Sequence, residues 1–263
     1  MPLLEQTGSM PTEKYAHGPE LLEHSRRIGR TYGLYQKTLF RTEVKKLNWD
    51  DRSSTWKACT DREDQLTARF VVPVAGPLHR PKLPGVPGLD KFAGHTFHTS
   101  RWDYDYTGGD TSGNLSKLQD KRVGIIGTGA TAVQIVPHLG RWSKDLYVFQ
   151  RTPSSIDVRN NSKTDAQWAE GLGHNWQRAR MDNFNTIVNG GKQDVDMVHD
   201  GWTDLLTRIA GTRRSKDSQT SKAVREANRQ MLDFEKMEQI RGRVDSIVQD
   251  PATAESLKPY YNQ

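Results

Sequence analysis

At 263 residues the chain is long enough for one large domain or two ordinary ones, but only 34% of it is hydrophobic and its mean hydropathy is −0.80, which predicts much surface helix or an interrupted core. A net charge of +6 is spread as mixed-sign residues with no basic block interleaved with aromatics, which argues against a nucleic-acid surface, and the one cysteine, Cys59, excludes an internal disulfide framework. The opening MPLLEQTGSM has no signal-peptide pattern and no apolar run approaches a membrane span, so a cytoplasmic protein that engages no membrane is expected.

Residues 17–34, HGPELLEHSRRIGRTYGL, place Leu21, Leu22, Ser25, Ile28 and Gly29 at near-helical spacing, and Gly33 is positioned to end a surface helix. TLFRTEVKKLNWDD, STWKACTD and QLTARFVVPVAG then read as three strands of a meander, with a turn over Asp50 to Ser54 and a last strand running to Gly76. The proline-rich PLHRPKLPGVPG, 77–88, is extended and marks a connector between domains.

RVGIIG reads as a buried strand, ATAVQIVPHLGRW as an amphipathic helix kinked at Pro137, and DLYVFQ as a second strand, together one βαβ unit. Beyond Pro153 the pattern is helical. Thr164 and Gln167 form a capping-box pattern; SKAVREANRQMLDFEKMEQIRGRVDSIV puts Met237, Ile240, Val244 and Ile247 on one stripe; Asp250 and Pro251 start a closing helix.

The turn VGIIGTGATAVQ carries G-x-G-x-x-A as Gly127, Gly129 and Ala132. The first glycine permits the tight turn, the second lets backbone approach a pyrophosphate, and the small third residue lets helix pack on strand, with the anion on the helix N-terminus. At the tip of the second strand, where an acid would favour NAD, stand Gln150, Arg151 and Thr152. A guanidinium and a hydroxyl there suit a 2′-phosphate, so NADP(H) is the expected coenzyme.

Upstream, FAGHTFHTSRWD holds Phe92, Gly94, His98, Trp102 and Asp103 as F-x-G-x-x-x-H-x-x-x-W-D. This resembles the fingerprint of type I Baeyer-Villiger monooxygenases, flavoproteins related to the flavin-containing monooxygenases. GTGATAVQ and VFQRTPSSIDVR match the same family in order, and the likeness extends from PTEKYAHGPELLEH to DPATAESLKPYY. By themselves His95 and His98 are too few for a metal site, and no metal is expected.

The resemblance implies an α/β fold with two dinucleotide-binding, Rossmann-like domains, both incomplete here, and a mainly helical C-terminal segment. Residues 1–76 correspond to part of the FAD domain, 77–120 to the linker with the fingerprint, 121–160 to the NADP-binding βαβ unit, and 161–263 to a helical insertion. The implied reaction uses NADPH, FAD and O2 to insert one oxygen beside a ketone carbonyl, giving an ester or lactone, on a bulky cyclic ketone of the kind found in secondary metabolism.

The implied cofactor-binding residues are Gly127, Thr128, Gly129, Ala130, Thr131, Ala132 and Gln134 at the turn, Arg151 and Thr152 at the tip, and Val44 and Gly76 toward FAD. His98, Trp102 and Asp103 join them in the fingerprint, where the resemblance implies coupling of cofactor binding to domain movement. No catalytic residue is assigned. The family's flavin domain opens with its own G-x-G-x-x-G, which does not precede Gly127, and its flavin-stabilising arginine lies past a segment like SLKPYYNQ. A fragment with impaired FAD binding and no turnover by itself is therefore the expectation; the alternative is a non-catalytic NADP(H)-binding or interaction protein derived from such an enzyme.

Overall fold

The computed structural model describes residues 1–76, 78, 80–201, 203, 204 and 222–261. Pro77 and His79 of the expected connector, Ser221 at the head of the expected long helix, and the terminal residues 262 and 263 lie outside the described residues. The chain is α/β and packs as two units, one of residues 26–103 and the other of 1–25 together with 104–263. These limits fall at 25/26 and 103/104, whereas the sequence reading divides the chain after 76, 120 and 160.

Helix α1, Gly18–Thr31, enters the 26–103 unit and ends as the sequence predicts. Gly33 adopts φ +60°, its N–H bonds the Arg30 carbonyl at 3.2 Å, and the Leu34 N–H reaches back to Gly29 at 2.9 Å, so two carbonyls of the last turn are satisfied. Strands β1, Val44–Asp50, β2, Thr55–Thr60, and β3, Gln65–Ala68, form an antiparallel meander in the order β1-β2-β3. Trp49 lies opposite Trp56 and the rings meet edge to face at 5.4 Å, a cross-strand pair that fixes register. Asp50 closes the intervening turn by accepting from the Arg52 N–H at 3.0 Å and pairing with Lys57 at 2.7 Å.

Two strand expectations are corrected. The first strand begins at Val44 and not Thr38, because β2 ends opposite Val44 and Arg41 takes a left-handed φ of +51°. The third ends at Ala68 and not Gly76: Ala68 pairs with Trp56 near the start of β2, so the chain beyond it runs past the end of that strand, and Pro73 has no N–H to donate. Val74 in that segment is 86% exposed.

In the other unit, β4, Arg122–Ile126, pairs in parallel with β5, Asp145–Phe149, and α2, Ala130–Trp142, crosses between them. The helix runs through Pro137 and buries Ala132 and Leu139, while β4 buries Ile125. Helices α3, Ala166–Glu170, and α4, Trp176–Val188, follow, then α5, Lys222–Ile247, and α6, Pro251–Leu257. The capping-box expectation is corrected: Asp165 caps α3 by accepting from the Trp168 N–H at 2.7 Å, and the Thr164 hydroxyl instead bonds the Pro11 carbonyl at 2.5 Å. Asp250 caps α6 through the Thr253 N–H at 2.8 Å, with Pro251 in the first turn as expected.

The N-terminal segment joins this unit through specific bonds. The Leu4 N–H donates to Gln177 Oε1 at 2.7 Å, Gln177 Nε2 donates to the Met1 carbonyl at 2.6 Å, and the Glu5 carboxylate accepts from the Asn175 N–H at 2.7 Å. No helix among the described residues is long and apolar enough to cross a membrane.

The apolar stripe of α5 is buried at Met237 and Ile240, half-buried at Val244, and exposed at Ile247, where the stripe has rotated away from the core. Truncating Ile240 to alanine is expected to lower stability by about 2–5 kcal/mol, while Ile247→Ala changes it by under about 0.5 kcal/mol. Urea unfolding midpoints of the two variants check this contrast.

Candidate functional site

The glycine turn follows directly from the strand that precedes it. β4 ends at Ile126, and the Gly127 N–H then donates to the Phe149 carbonyl at 2.8 Å, extending the ladder by one bond while Gly127 turns at φ +99°. Gly129 is the N-cap of α2, and no side chain caps the helix, so the first-turn amides of Ala130, Thr131 and Ala132 are not answered by a capping group. A Cβ built on Gly127 or Gly129 would meet nothing within 4 Å. Packing within the chain therefore does not account for glycine at 129, whose φ of −71° any residue adopts. At the third motif position Ala132 is buried, matching the small residue needed for helix-to-strand packing.

Thr128 and the segment after β5 are bonded to each other. Thr128 Oγ1 donates to the Thr152 carbonyl at 3.3 Å, and the Ser154 hydroxyl donates to the Thr128 carbonyl at 2.5 Å with Thr128 Oγ1 also 3.0 Å away. The tip is thereby held beside the turn. Arg151 and Thr152 are exposed there, and among the described residues the Arg151 guanidinium has no hydrogen-bond or ion-pair partner. Gln134 turns its amide back to the Ala130 carbonyl at 3.0 Å, one helical turn earlier. An uncapped helix start, an open glycine turn and an unpaired guanidinium within one βαβ unit fit a dinucleotide carrying an additional phosphate.

From the tip, residues 150–157 are tied to the C-terminal helices. Gln150 Nε2 donates to the Ser256 carbonyl at 2.8 Å, the Ser155 N–H donates to Tyr261 Oη at 2.8 Å, Arg243 donates to the Ile156 carbonyl at 3.1 Å, and Asp157 pairs with Lys236 at 2.6 Å. The Lys236 ammonium is buried and also meets Asp204 at 3.1 Å. Burial opposes its charge, but the hydrogen bonds and charges of the two aspartates outweigh burial and raise its pKa. Burial likewise pushes Asp157 up, and Lys236, the Val158 N–H and Arg243 together bring its carboxyl below the ordinary range.

The remaining sequence-predicted residues belong to the 26–103 unit. Val44 is an exposed residue opening β1 beside a register shift, and Gly76 takes φ +69°, where a Cβ would meet nothing within 4 Å. His98 caps a short helical turn: its Nδ1 accepts from the Ser100 N–H at 3.2 Å and lies 2.8 Å from the Ser100 hydroxyl. Asp103 bonds His95 at 2.8 Å, and Trp102 meets Phe97 edge to face at 5.2 Å. The fingerprint residues thus engage neighbours of their own segment.

Two cavities lie in the other unit, one of about 440 Å³ lined by charged groups including Lys14, Asp157, Asp200 and Lys236, and one of about 550 Å³ lined by Leu4, Met10, Trp168, Trp176, Met181 and Phe184. Neither is lined by the glycine turn or by Arg151. Sequence reasoning did not assign Ser154, Tyr261, Asp157 or Lys236 to the site. A serine three residues past Arg151 carries no local signal, and the last two residues act across nearly eighty positions.

The model of the flavin-binding monooxygenase-like family matches residues 9–167. The chain is 55% identical to the Baeyer-Villiger monooxygenase ATR8 of Stachybotrys chlorohalonatus, covering 100% of this chain and 42% of that protein. It is 54% identical to neopentalenolactone D synthase of Streptomyces avermitilis, over 99% of this chain and 44% of the relative. Among solved structures, a polycyclic ketone monooxygenase from Thermothelomyces thermophila superposes with a TM-score of 0.88 at 42% identity, covering 100% of this chain and 44% of that one. An oxidised steroid monooxygenase bound to NADP gives 0.70 at 27% identity, covering 99% and 48%. The chain therefore spans less than half the length of the relatives it matches.

The Asp157–Lys236 pair makes stability depend on pH. A depressed carboxyl pKa contributes stability that is complete above the unfolded value of about 3.9 and is lost as pH falls through the lower folded value. Asp157→Asn removes that contribution, so the variant is expected to be less stable than wild type at neutral pH, with the gap narrowing on acidification below about pH 4. Denaturant titrations of both proteins across that range measure it.

Proposed function

The chain belongs to the flavin-binding monooxygenase-like family, and from that premise we propose that it forms the coenzyme-handling part of an FAD- and NADPH-dependent Baeyer-Villiger monooxygenase. The reaction is insertion of one oxygen of O2 beside the carbonyl of a bulky cyclic ketone, giving an ester or lactone. Relatives named as a polycyclic ketone monooxygenase and as Baeyer-Villiger enzymes support the substrate class and the reaction. The single observation that carries the coenzyme assignment is the open glycine turn placed beside an exposed, unpaired Arg151.

In this reading the amides that follow Gly127, over residues 128–132, hold the diphosphate at the start of α2, with Ala132 bringing helix and strand close, and Gln134 stands one turn further along the same helix. Arg151 and Thr152 hold the 2′-phosphate. When bound, NADPH supplies the hydride and FAD the oxygen-activating chemistry. The residues of this chain bind and orient; none is assigned to the reacting atoms. Val44 and Gly76 offer backbone to FAD, and His98, Trp102 and Asp103 couple cofactor binding to movement of the linker. The four segments 1–76, 77–120, 121–160 and 161–263 are assigned, in that order, to the FAD domain, the linker, the NADP βαβ unit and the helical insertion of a cytoplasmic enzyme with two Rossmann-like domains.

Two substitutions test the coenzyme assignment. Arg151→Ala should weaken NADPH about ten- to a hundred-fold, the worth of a charge-assisted contact, and leave NADH nearly unchanged. Nucleotide fluorescence titration reads both; equal affinities of wild type for the two coenzymes would refute the assignment.

Gly129→Ala adds a methyl into empty space at an ordinary φ, so its unfolding midpoint should match wild type. Its NADPH affinity should fall at least about ten-fold, because that methyl occupies the path of the diphosphate.

A further inference from the structure

The 2′-phosphate tip is anchored on both sides by residues remote in sequence. Immediately before Arg151, the half-buried Gln150 donates its amide to the Ser256 carbonyl at 2.8 Å, in the last turn of α6, where a helix's own ladder leaves oxygens unmatched. Three residues beyond Thr152, the Ser155 N–H donates to Tyr261 Oη at 2.8 Å. Both acceptors belong to the segment that closes the described chain. Between these anchors lie Arg151, Thr152, Pro153 and Ser154, and within that span Thr152 and Ser154 bond Thr128 of the glycine turn.

A four-residue span tied at both ends and stitched to the turn in its middle has little freedom to move its one long cationic side chain relative to the turn. A single two-pronged contact between guanidinium and phosphate is sensitive to such placement, since its geometry is fixed by the planar fork. Gln150 ties down the residue just before Arg151 through its own side-chain amide, and Tyr261 ties down the backbone N–H of Ser155.

We propose that Gln150 and Tyr261 are positioning residues for coenzyme discrimination, holding the Arg151 tip against the glycine turn from the C-terminal helical segment. The proposal rests on the reading of Arg151 as the 2′-phosphate contact. It makes the segment 251–261 part of the coenzyme site through its bonds to residues 150 and 155.

The test uses the full chain and two coenzymes. Gln150→Leu removes the donor, and Tyr261→Phe removes only the acceptor oxygen while keeping the ring, so Tyr261→Phe decides the matter if Gln150→Leu fails to fold. Each is made in the wild-type and in the Arg151→Ala background, and NADPH and NADH dissociation constants are measured by nucleotide fluorescence. In the wild-type background each substitution is expected to lower the NADPH-to-NADH affinity ratio about five-fold, the worth of one net hydrogen bond.

In the Arg151→Ala background the same substitutions should leave the ratio where Arg151→Ala put it, since their effect runs through that side chain. A general loosening of the fold would weaken both coenzymes together and leave the ratio unmoved, which overturns the proposal. If Arg151→Ala lowers the ratio while Tyr261→Phe does not, positioning by Tyr261 is wrong and the coenzyme reading stands. If Arg151→Ala itself leaves the ratio unchanged, the coenzyme reading fails and this proposal with it.

Discussion

Everything at the candidate site depends on the hydrogen bond from the Gly127 N–H to the Phe149 carbonyl. β4 and β5 pair in parallel with Ile126 opposite Phe149, so both strands leave the sheet at the same edge. The bond carries the pairing one residue past β4, into the turn itself. The amides of the glycine turn and the residues that follow β5 are consequently neighbours by topology, before any side chain is chosen. An antiparallel pair would send the second strand's C-terminal end to the opposite edge. The positive φ of Gly127 is the local condition for this bond and for the reversal into α2, and it is where a Cβ would introduce strain of about 1–3 kcal/mol.

That arrangement rests on a thin layer of packing. Ile125 of β4 and Ala132 and Leu139 of α2 are buried, whereas Ile126, Tyr147, Val148 and Phe149 are exposed among the described residues. Parallel strands are stable when both faces are covered. Here much of the order at the tip comes instead from directional bonds: Ser154 to Thr128, Gln150 to Ser256, Ser155 to Tyr261, and Asp157 to Lys236. Directional bonds fix position more sharply than an apolar contact does, but each contributes only about 1 kcal/mol net. The tip is therefore well placed and individually easy to loosen.

The sequence made the local features legible and left the long-range ones out of reach. Gly33, Asp250 with Pro251, and the G-x-G-x-x-A turn act within a few residues, and their geometry follows from backbone conformational preference alone. The strand limits were misjudged at Thr38 and Gly76 because β-branched and aromatic content marks where a strand is tolerated, while its actual ends are set by where the partner strand stops. The capping of α3 was misplaced by one residue, since Thr164 and Asp165 are both capable acceptors and the competing bond to Pro11 decides between them. That competitor lies more than 150 positions away.

The same distinction explains why Arg151 could be located as a candidate contact but its supporting bonds could not. Arg151 is found by counting from the end of β5, a rule that local pattern supplies. What holds the segment around it is a carbonyl at 256, a phenol at 261 and an ammonium at 236, none of which has a sequence relation to residue 151 that periodicity could detect. Chemistry-bearing residues on a βα turn are fixed by topology, and the residues that orient them are fixed by whichever surface the following chain happens to cover. In this chain that surface is built by α5, α6 and the segment after α6 that carries Tyr261.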